Sequence, residues 1–203
     1  MVRSLVDIYV HDGYMPDSRS GNCNGRVEGG SNSDIVVGDA YVKGLAGIDW
    51  AKAYEAMVKN AEIPPGDAQK EGRGGCVEYN SLGYVPSSIE RSGTRTVEYG
   101  PCDWAIARVA SGLGKQSDFS KYKSRSANWE NLWNSAVTSE GFSGFIMPKN
   151  ADGQWQNYGT TQWGSWGDWF YEGDSWTYSL YVPQDPTALI AKCGGNTQFI
   201  SRL

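Results

Sequence analysis

Five of the nine tryptophans, Trp155, Trp163, Trp166, Trp169 and Trp176, fall between positions 155 and 176. They alternate with Tyr158 and Tyr171, with glycines, and with the acids Asp168, Glu172 and Asp174. So many polar neighbours do not suit a segment that only fills a core. Flat aromatic faces set among carboxylates and amides suit a sugar, whose C–H faces stack while its hydroxyls are hydrogen-bonded. A carboxyl group embedded among rings has its charged form disfavoured, which moves it toward the range where it can donate a proton. Glu172, between Tyr171 and Gly173, stands where such an acid is expected, and Trp169 and Trp176 bracket it as rings for a bound sugar. The competing reading is that Glu172 complements the positive end of a short helix over 174–180.

Two other long, glycine-rich stretches could carry polar contacts, since loops of more than about 12–15 residues within a compact domain are usually functional or disordered. In 12–33, DGYMPDSRSGNCNGRVEGGSNS, glycines permit tight turns that gather Asp17, Arg19, Asn22, Arg26 and Asn32 with backbone amides on one rim. A solvated turn region explains the same composition. In 63–75, the Glu71-Gly72-Arg73-Gly74-Gly75 run lacks the spacing of a phosphate-binding loop. A Glu71–Arg73 pair holding the loop in shape is expected there. Asp17, Arg19, Asn32 and Arg73 are the residues expected to line or support a pocket.

Other chemistries are disfavoured. His11 is the single histidine, and Cys23, Cys76, Cys102 and Cys193 are far apart with no CxxC, so neither a zinc cluster nor a histidine-dependent nucleophile assembles. The four cysteines suit two disulfides or four buried thiols equally. With 18 basic against 23 acidic side chains the net charge is −5, the wrong sign for a phosphate backbone, so nucleic acid is not expected as a partner. No apolar run approaches the ~20 residues needed to cross a bilayer, and the first residues lack the pattern of a signal peptide.

Helical periodicity supplies the elements that must hold these groups. Trp50, Ala53, Tyr54, Met57, Val58 and Ala61 step along one face of a helix over 48–62 that Pro64-Pro65 stops. Ile106, Val109, Ala110 and Leu113 predict a second over 103–113, capped by Asp103, and a third follows from 117 to 136 through Phe119, Tyr122, Ser126, Trp129, Trp133 and Ala136. The short Gly114-Lys115-Gln116 joint makes those two an antiparallel pair. Further helices are expected over 2–11, over 34–43 with a Ser31/Asp34 capping box, and from an Asp185-Pro186 start to Gly194-Gly195. Gly141, Gly144 and the Asp152-Gly153 turn point to a short β-hairpin excursion near 141–165. The fold class is therefore mainly α, antiparallel helix pairs with long Gly-rich loops. Both ends read as cut, with apolar helical faces running to residue 2 and, through Phe199, Ile200 and Leu203, to the last residue.

In order along nearly all of 1–203, the chain resembles glycoside hydrolase family 92, the calcium-dependent exo-acting α-mannosidases. The resemblance is carried by Gly29, Gly30, Ser31, Asn32, Asp39, Ala40, Lys43 and Gly44, by EGRGG and EYNSLGYVP, and by Tyr171, Glu172, Gly173 and Trp176 in FYEGDSWTYSLYVPQD. It implies an (α/α)6 toroid behind an N-terminal β-sandwich, hydrolysis of terminal α-mannosides in oligosaccharides or N-glycans with inversion, and Glu172 as general acid. Glu28, Asp174 and Gln184 stand where the family pattern has Gln, Asn and His. No GNDD-type motif, the expected source of the general base and calcium ligands, occurs in the chain. The implied unit is about half a toroid, a single partial domain over 1–203. Calcium is expected for the complete enzyme with its ligands outside this chain, which by itself is expected to be inactive. The parent enzyme is expected to be secreted or otherwise extracytoplasmic. A non-catalytic carbohydrate-binding module using the Trp155–Trp176 cluster is the alternative.

Overall fold

The computed structural model describes residues 1–16 and 31–203. Helix α1, Val2–Asp12, buries Val2 and Val6 and ends at left-handed Gly13, whose N–H donates to the Tyr9 carbonyl. Helices α2, Ser33–Val42, and α3, Trp50–Glu62, follow. The Asp49 carboxylate caps α3 by accepting from the Lys52 amide at 3.0 Å, and Ala53, Tyr54, Met57 and Ala61 form its buried stripe. Asn32, not Ser31, is the residue that precedes α2; the Ser31 hydroxyl bonds the Asp34 side chain and accepts from Asn60 Nδ2.

A short helix α4, Cys76–Leu82, precedes the central element, α5, which spans Ser92–Gly112. All of α5 except Trp104, Arg108, Ser111 and Gly112 is buried, so it has no polar face and no amphipathic period. Gly93, Gly100 and Pro101 lie inside it and disguise its first half, so the expected start at 103 is wrong by eleven residues and Asp103 is not a cap. Gly38 of α2 crosses α5 closely enough that a Cβ there would stand 2.7 Å from the Ala105 Cβ. Helix α6, Gln116–Arg125, folds back on α5 through left-handed Gly114, as the short joint requires.

The helix expected to continue to 136 is absent. Asn128–Leu132 forms a 3₁₀ turn, and β1, Trp133–Ser139, pairs antiparallel with β2, Phe142–Ile146, in a register that sets Trp133 opposite Ile146. The β-branched Val137-Thr138 and the Glu140-Gly141 turn, both with positive φ, favour a hairpin over helix. The hairpin therefore lies earlier than 141–165. The Asp152-Gly153 turn does form, closing a single bridge between Lys149 and Trp155. Helices α7, Ser175–Tyr178, α8, Pro186–Lys192, and α9, Asn196–Arg202, complete the chain. Asp185 caps α8 by accepting from the Ala188 amide at 3.0 Å, with Pro186 at its first position.

Two apolar clusters result. One joins α1, α2, α3 and the second half of α5 through Val6, Val37, Met57, Ile106 and Val109. The other gathers Val97 of α5, Trp129, Trp133, Phe145, Phe170 and Leu189. Cys76, Cys102 and Cys193 are buried thiols. Among the described residues no helix is long and apolar enough to cross a membrane.

Polar groups cross the helical half at one buried point. Arg73, fully buried, donates from Nη1 to Asp103 Oδ1 at 2.7 Å and from Nη2 to Asp34 Oδ2 at 3.0 Å, its guanidinium 5.0 Å from the Tyr99 ring centre. Asp103 also accepts from the Tyr79 hydroxyl at 2.9 Å and from Arg125 at 3.2 and 3.3 Å. Arg125 continues to Glu62 at 2.7 Å. Arg73 thus pairs across the helices and not with Glu71, because two buried carboxylates offer it more than one half-buried loop acid. Burial opposes the Arg73 charge, yet Asp103 and Asp34 hold it well above its ordinary value. Burial pushes Asp34 up to about 7, against the opposing pull of Arg73 and Ser31.

Arg73→Met strands the two carboxylates, and a loss of about 3–5 kcal/mol in denaturant unfolding is expected. The raised Asp34 value sets a pH dependence. Its contribution is fully present below the unfolded value near 3.8 and is lost as pH rises through about 7. Melting temperatures from pH 4 to 8 should therefore fall further in the wild type than in Asp34→Asn. A wild type that gains on Asp34→Asn over that window would show that ion pairing, not burial, governs the group.

Candidate active site

The aromatic segment is strapped to the N-terminal end of α5. The Arg91 amide donates to the Asp168 carbonyl at 2.6 Å, and the Gly93 and Thr94 amides reach the Trp169 carbonyl at 3.0 and 3.3 Å. The Thr94 hydroxyl accepts from the Tyr171 amide at 3.0 Å. First-turn amides of a helix lack partners within it, so carbonyls from the segment satisfy them. Phe170 fits between because residue 93 is glycine: a Cβ there would stand 2.5 Å from its ring. The ring stacks on Tyr178 at 5.5 Å and meets Tyr158 at 5.4 Å.

Glu172 sits at the tip of the fold-back that follows. The Gly164 amide donates to the Gly173 carbonyl at 2.8 Å, and the Glu172 amide donates to the Gly164 carbonyl at 3.1 Å. The Tyr178 hydroxyl fixes the Tyr171 carbonyl at 2.9 Å, and Asp174 caps α7 by accepting from the Thr177 amide at 2.8 Å. Within this frame Glu172 adopts φ 47°, left-handed backbone that non-glycine residues avoid. Its side chain is exposed. The ring walls expected around it are missing because its aromatic neighbours turn away.

Trp169 points inward, donating from Nε1 to the Ser87 carbonyl at 2.8 Å and meeting Tyr158 edge-on at 5.6 Å. Trp176 is held among Phe142, Phe145 and the guanidinium of buried Arg202, 5.4 Å from its ring centre. Both rings serve the second cluster. Asn32 precedes α2, and its carbonyl accepts from the Val36 amide at 3.2 Å. Arg73 is buried in the helix-binding network, so it supports the fold and does not line an open surface. Asp17, Arg19, Asn22 and Arg26 lie outside the described residues.

The structure adds residues that sequence reasoning passed over. Trp166 is 44% exposed, and the guanidinium of fully buried Arg91 lies 4.0 Å from its ring centre. Tyr171 stands perpendicular to Trp166 at 5.2 Å. Arg91 has φ 56° and is paired with Glu90, which also accepts from Gln69 at 2.7 Å and from Arg95 at 3.2 Å. The turn carrying Trp166 is closed by Asp168, which accepts from both the amide and the hydroxyl of Ser165 at 2.7 and 3.0 Å. The Glu90-Arg91 pair offered no signal in the sequence, being distant from the tryptophans along the chain; the Ser165-Trp166-Gly167-Asp168 turn spacing was a readable one. Among the described residues, no three His, Cys, Asp or Glu side chains converge to hold a metal ion.

The known proteins that this chain is similar to agree with one another. Over residues 1–203 it matches the glycosyl hydrolase family 92 catalytic domain. It is 38% identical over 224 residues to an uncharacterized secreted glycosidase of Arthroderma benhamiae, covering 98% of this chain and 29% of that protein. An inverting mannosidase of family 92 from Bacteroides thetaiotaomicron superposes with a TM-score of 0.90 at 33% identity, covering all of this chain and 26% of that one. An α-mannosidase of the same family and organism, solved with mannoimidazole, superposes at 0.84 with 26% identity, over 99% of this chain and 26% of that one. The chain thus spans less than a third of the length of these relatives. Over its whole length the chain belongs to the catalytic domain of glycosyl hydrolase family 92.

Proposed function

We propose that this chain forms part of an α-mannosidase in which Glu172 protonates the departing sugar oxygen. The observation that carries the reading is the placement of Glu172: an exposed carboxyl group on strained, left-handed backbone that is held on both sides by bonds to Gly164 and Tyr178. Mannosidase activity in the solved relatives and a secreted relative support a secreted enzyme acting on mannose-containing glycans.

The bond between the anomeric carbon and the bridging oxygen breaks as that oxygen takes the Glu172 proton. Water then bonds to the anomeric carbon from the opposite face and gives its proton to a second carboxylate, with inversion. Inverting enzymes separate the two carboxyl groups by about 6.5–9.5 Å so that the water fits between them. The side chains nearest Glu172 in sequence are otherwise committed: Asp168 closes a turn and Asp174 caps α7. The base and the calcium ligands of the complete enzyme are assigned to residues outside this chain, as is the other half of an (α/α)6 toroid. The chain alone is inactive in this reading. Calcium, where bound by the complete enzyme, would supply positive charge; this chain's part is to present the Glu172 carboxyl and to fix its position.

Glu172→Gln in the full-length protein should lower kcat for α-mannobiose by about 10²–10⁴ with KM little changed, measured as mannose release. Undiminished turnover would remove the acid assignment. Gly164→Ala tests the frame, because a Cβ at 164 would run into the Phe170 carbonyl across the fold-back. It should cost about 1–3 kcal/mol of stability by thermal or denaturant unfolding and depress kcat without abolishing it.

A further inference from the structure

We infer that Trp166 is the platform for the leaving-group sugar, the residue on the far side of the scissile bond from the mannose being released. This rests on Glu172 as the acid, and it shifts the sugar-stacking role away from Trp169 and Trp176. Three observations lead to it.

Exposure comes first. Trp169 and Trp176 are partly buried and committed to packing and hydrogen bonds inside the second cluster, whereas Trp166 remains 44% exposed. Rigidity is the second. An exposed indole on a loose loop would lose rotational freedom on binding, but Trp166 stands on a turn closed by two bonds to Asp168. The same turn is tied to α5 by the bond from the Arg91 amide. The Arg91 guanidinium, fully buried and paired with Glu90, backs the ring at 4.0 Å. A cation against an aromatic face holds it in one orientation. The ring is therefore set before any sugar arrives.

Position is the third. Trp166 meets Tyr171 edge-on at 5.2 Å, and Tyr171 is the residue before Glu172. A general acid must reach the bridging oxygen, so the group bonded to that oxygen lies against the surface around the acid. A ring one residue contact away from the acid, held rigid and exposed, is suited to the apolar face of that departing sugar.

Two substrates test this in the full-length protein: α-mannobiose, whose leaving group is a sugar, and α-mannosyl fluoride, whose leaving group is fluoride and offers nothing to stack. Trp166→Ala should cut kcat/KM for α-mannobiose roughly tenfold to a hundredfold, mainly through KM, and leave the fluoride within about twofold of wild type. Trp166→Phe, which keeps an aromatic face, should restore most of the loss. Equal losses on both substrates would mean that the ring only supports the frame, and unchanged kinetics on α-mannobiose would mean that it touches no sugar; either result overturns the inference. Glu172→Gln run alongside separates this from the reading beneath it. If Glu172→Gln keeps α-mannobiose turnover while Trp166→Ala loses it, the acid assignment fails and the platform stands. A wild type that hydrolyses neither substrate overturns both.

Discussion

A guanidinium sealed from water between two carboxylates is the constraint on which the helical half is built. Arg73 cannot be left without Asp34 and Asp103, and neither carboxylate can be left without it, since removing one partner strands the other in a medium that cannot solvate charge. The requirement fixes more than local geometry. Asp34 lies on α2, Asp103 on α5, and Arg125, which reaches both Asp103 and Glu62, brings in α6 and α3. Apolar packing between these helices tolerates sliding; a forked donor that must meet two acids does not. The uneven sharing of donors is also informative. Asp103 takes Arg73, Tyr79 and Arg125, whereas Asp34 takes Arg73 and Ser31, and it is Asp34 that burial pushes up to about 7.

A second buried arginine organises the aromatic end. Arg91 starts α5 in a left-handed conformation, binds the Asp168 carbonyl through its amide, and places its side chain beneath Trp166. The two non-glycine residues with positive φ outside the hairpin turn, Arg91 and Glu172 among the described residues, therefore lie on either side of the same Trp166–Tyr171 pair. Strained backbone persists where its surroundings over-determine it, and here those surroundings are the carbonyl-to-amide strap and the fold-back at Gly164 and Gly173.

Much of this was legible along the chain where side chains alternate between water and core. α1, α3, the α5–α6 joint and α8 with its Asp-Pro start carry clear periodicity or caps, and they form. Legibility fails where that contrast disappears. The first half of α5 is buried on all sides, so no period marks it, and its glycines and proline read as loop although they permit close contacts with Phe170 and Gln184. Trp129 and Trp133 mimic a helical step, but the second core buries them from a 3₁₀ turn and a strand. The site divides the same way. Its aromatic and acidic composition points to the segment 155–176, and Glu172 stands out in it between Tyr171 and Gly173. Which tryptophans face inward depended on Ser87, Phe145 and Arg202, remote in sequence and without any local mark.

The double membership of α5 also bears on how the protein comes apart. Its first half lends Val97 to one apolar cluster and its second half lends Ile106 and Val109 to the other, with no break in the helix between them. The rod loses part of its burial when either cluster goes, so melting is expected to be coupled end to end, with amide protons along the middle of α5 protected up to global opening of the molecule.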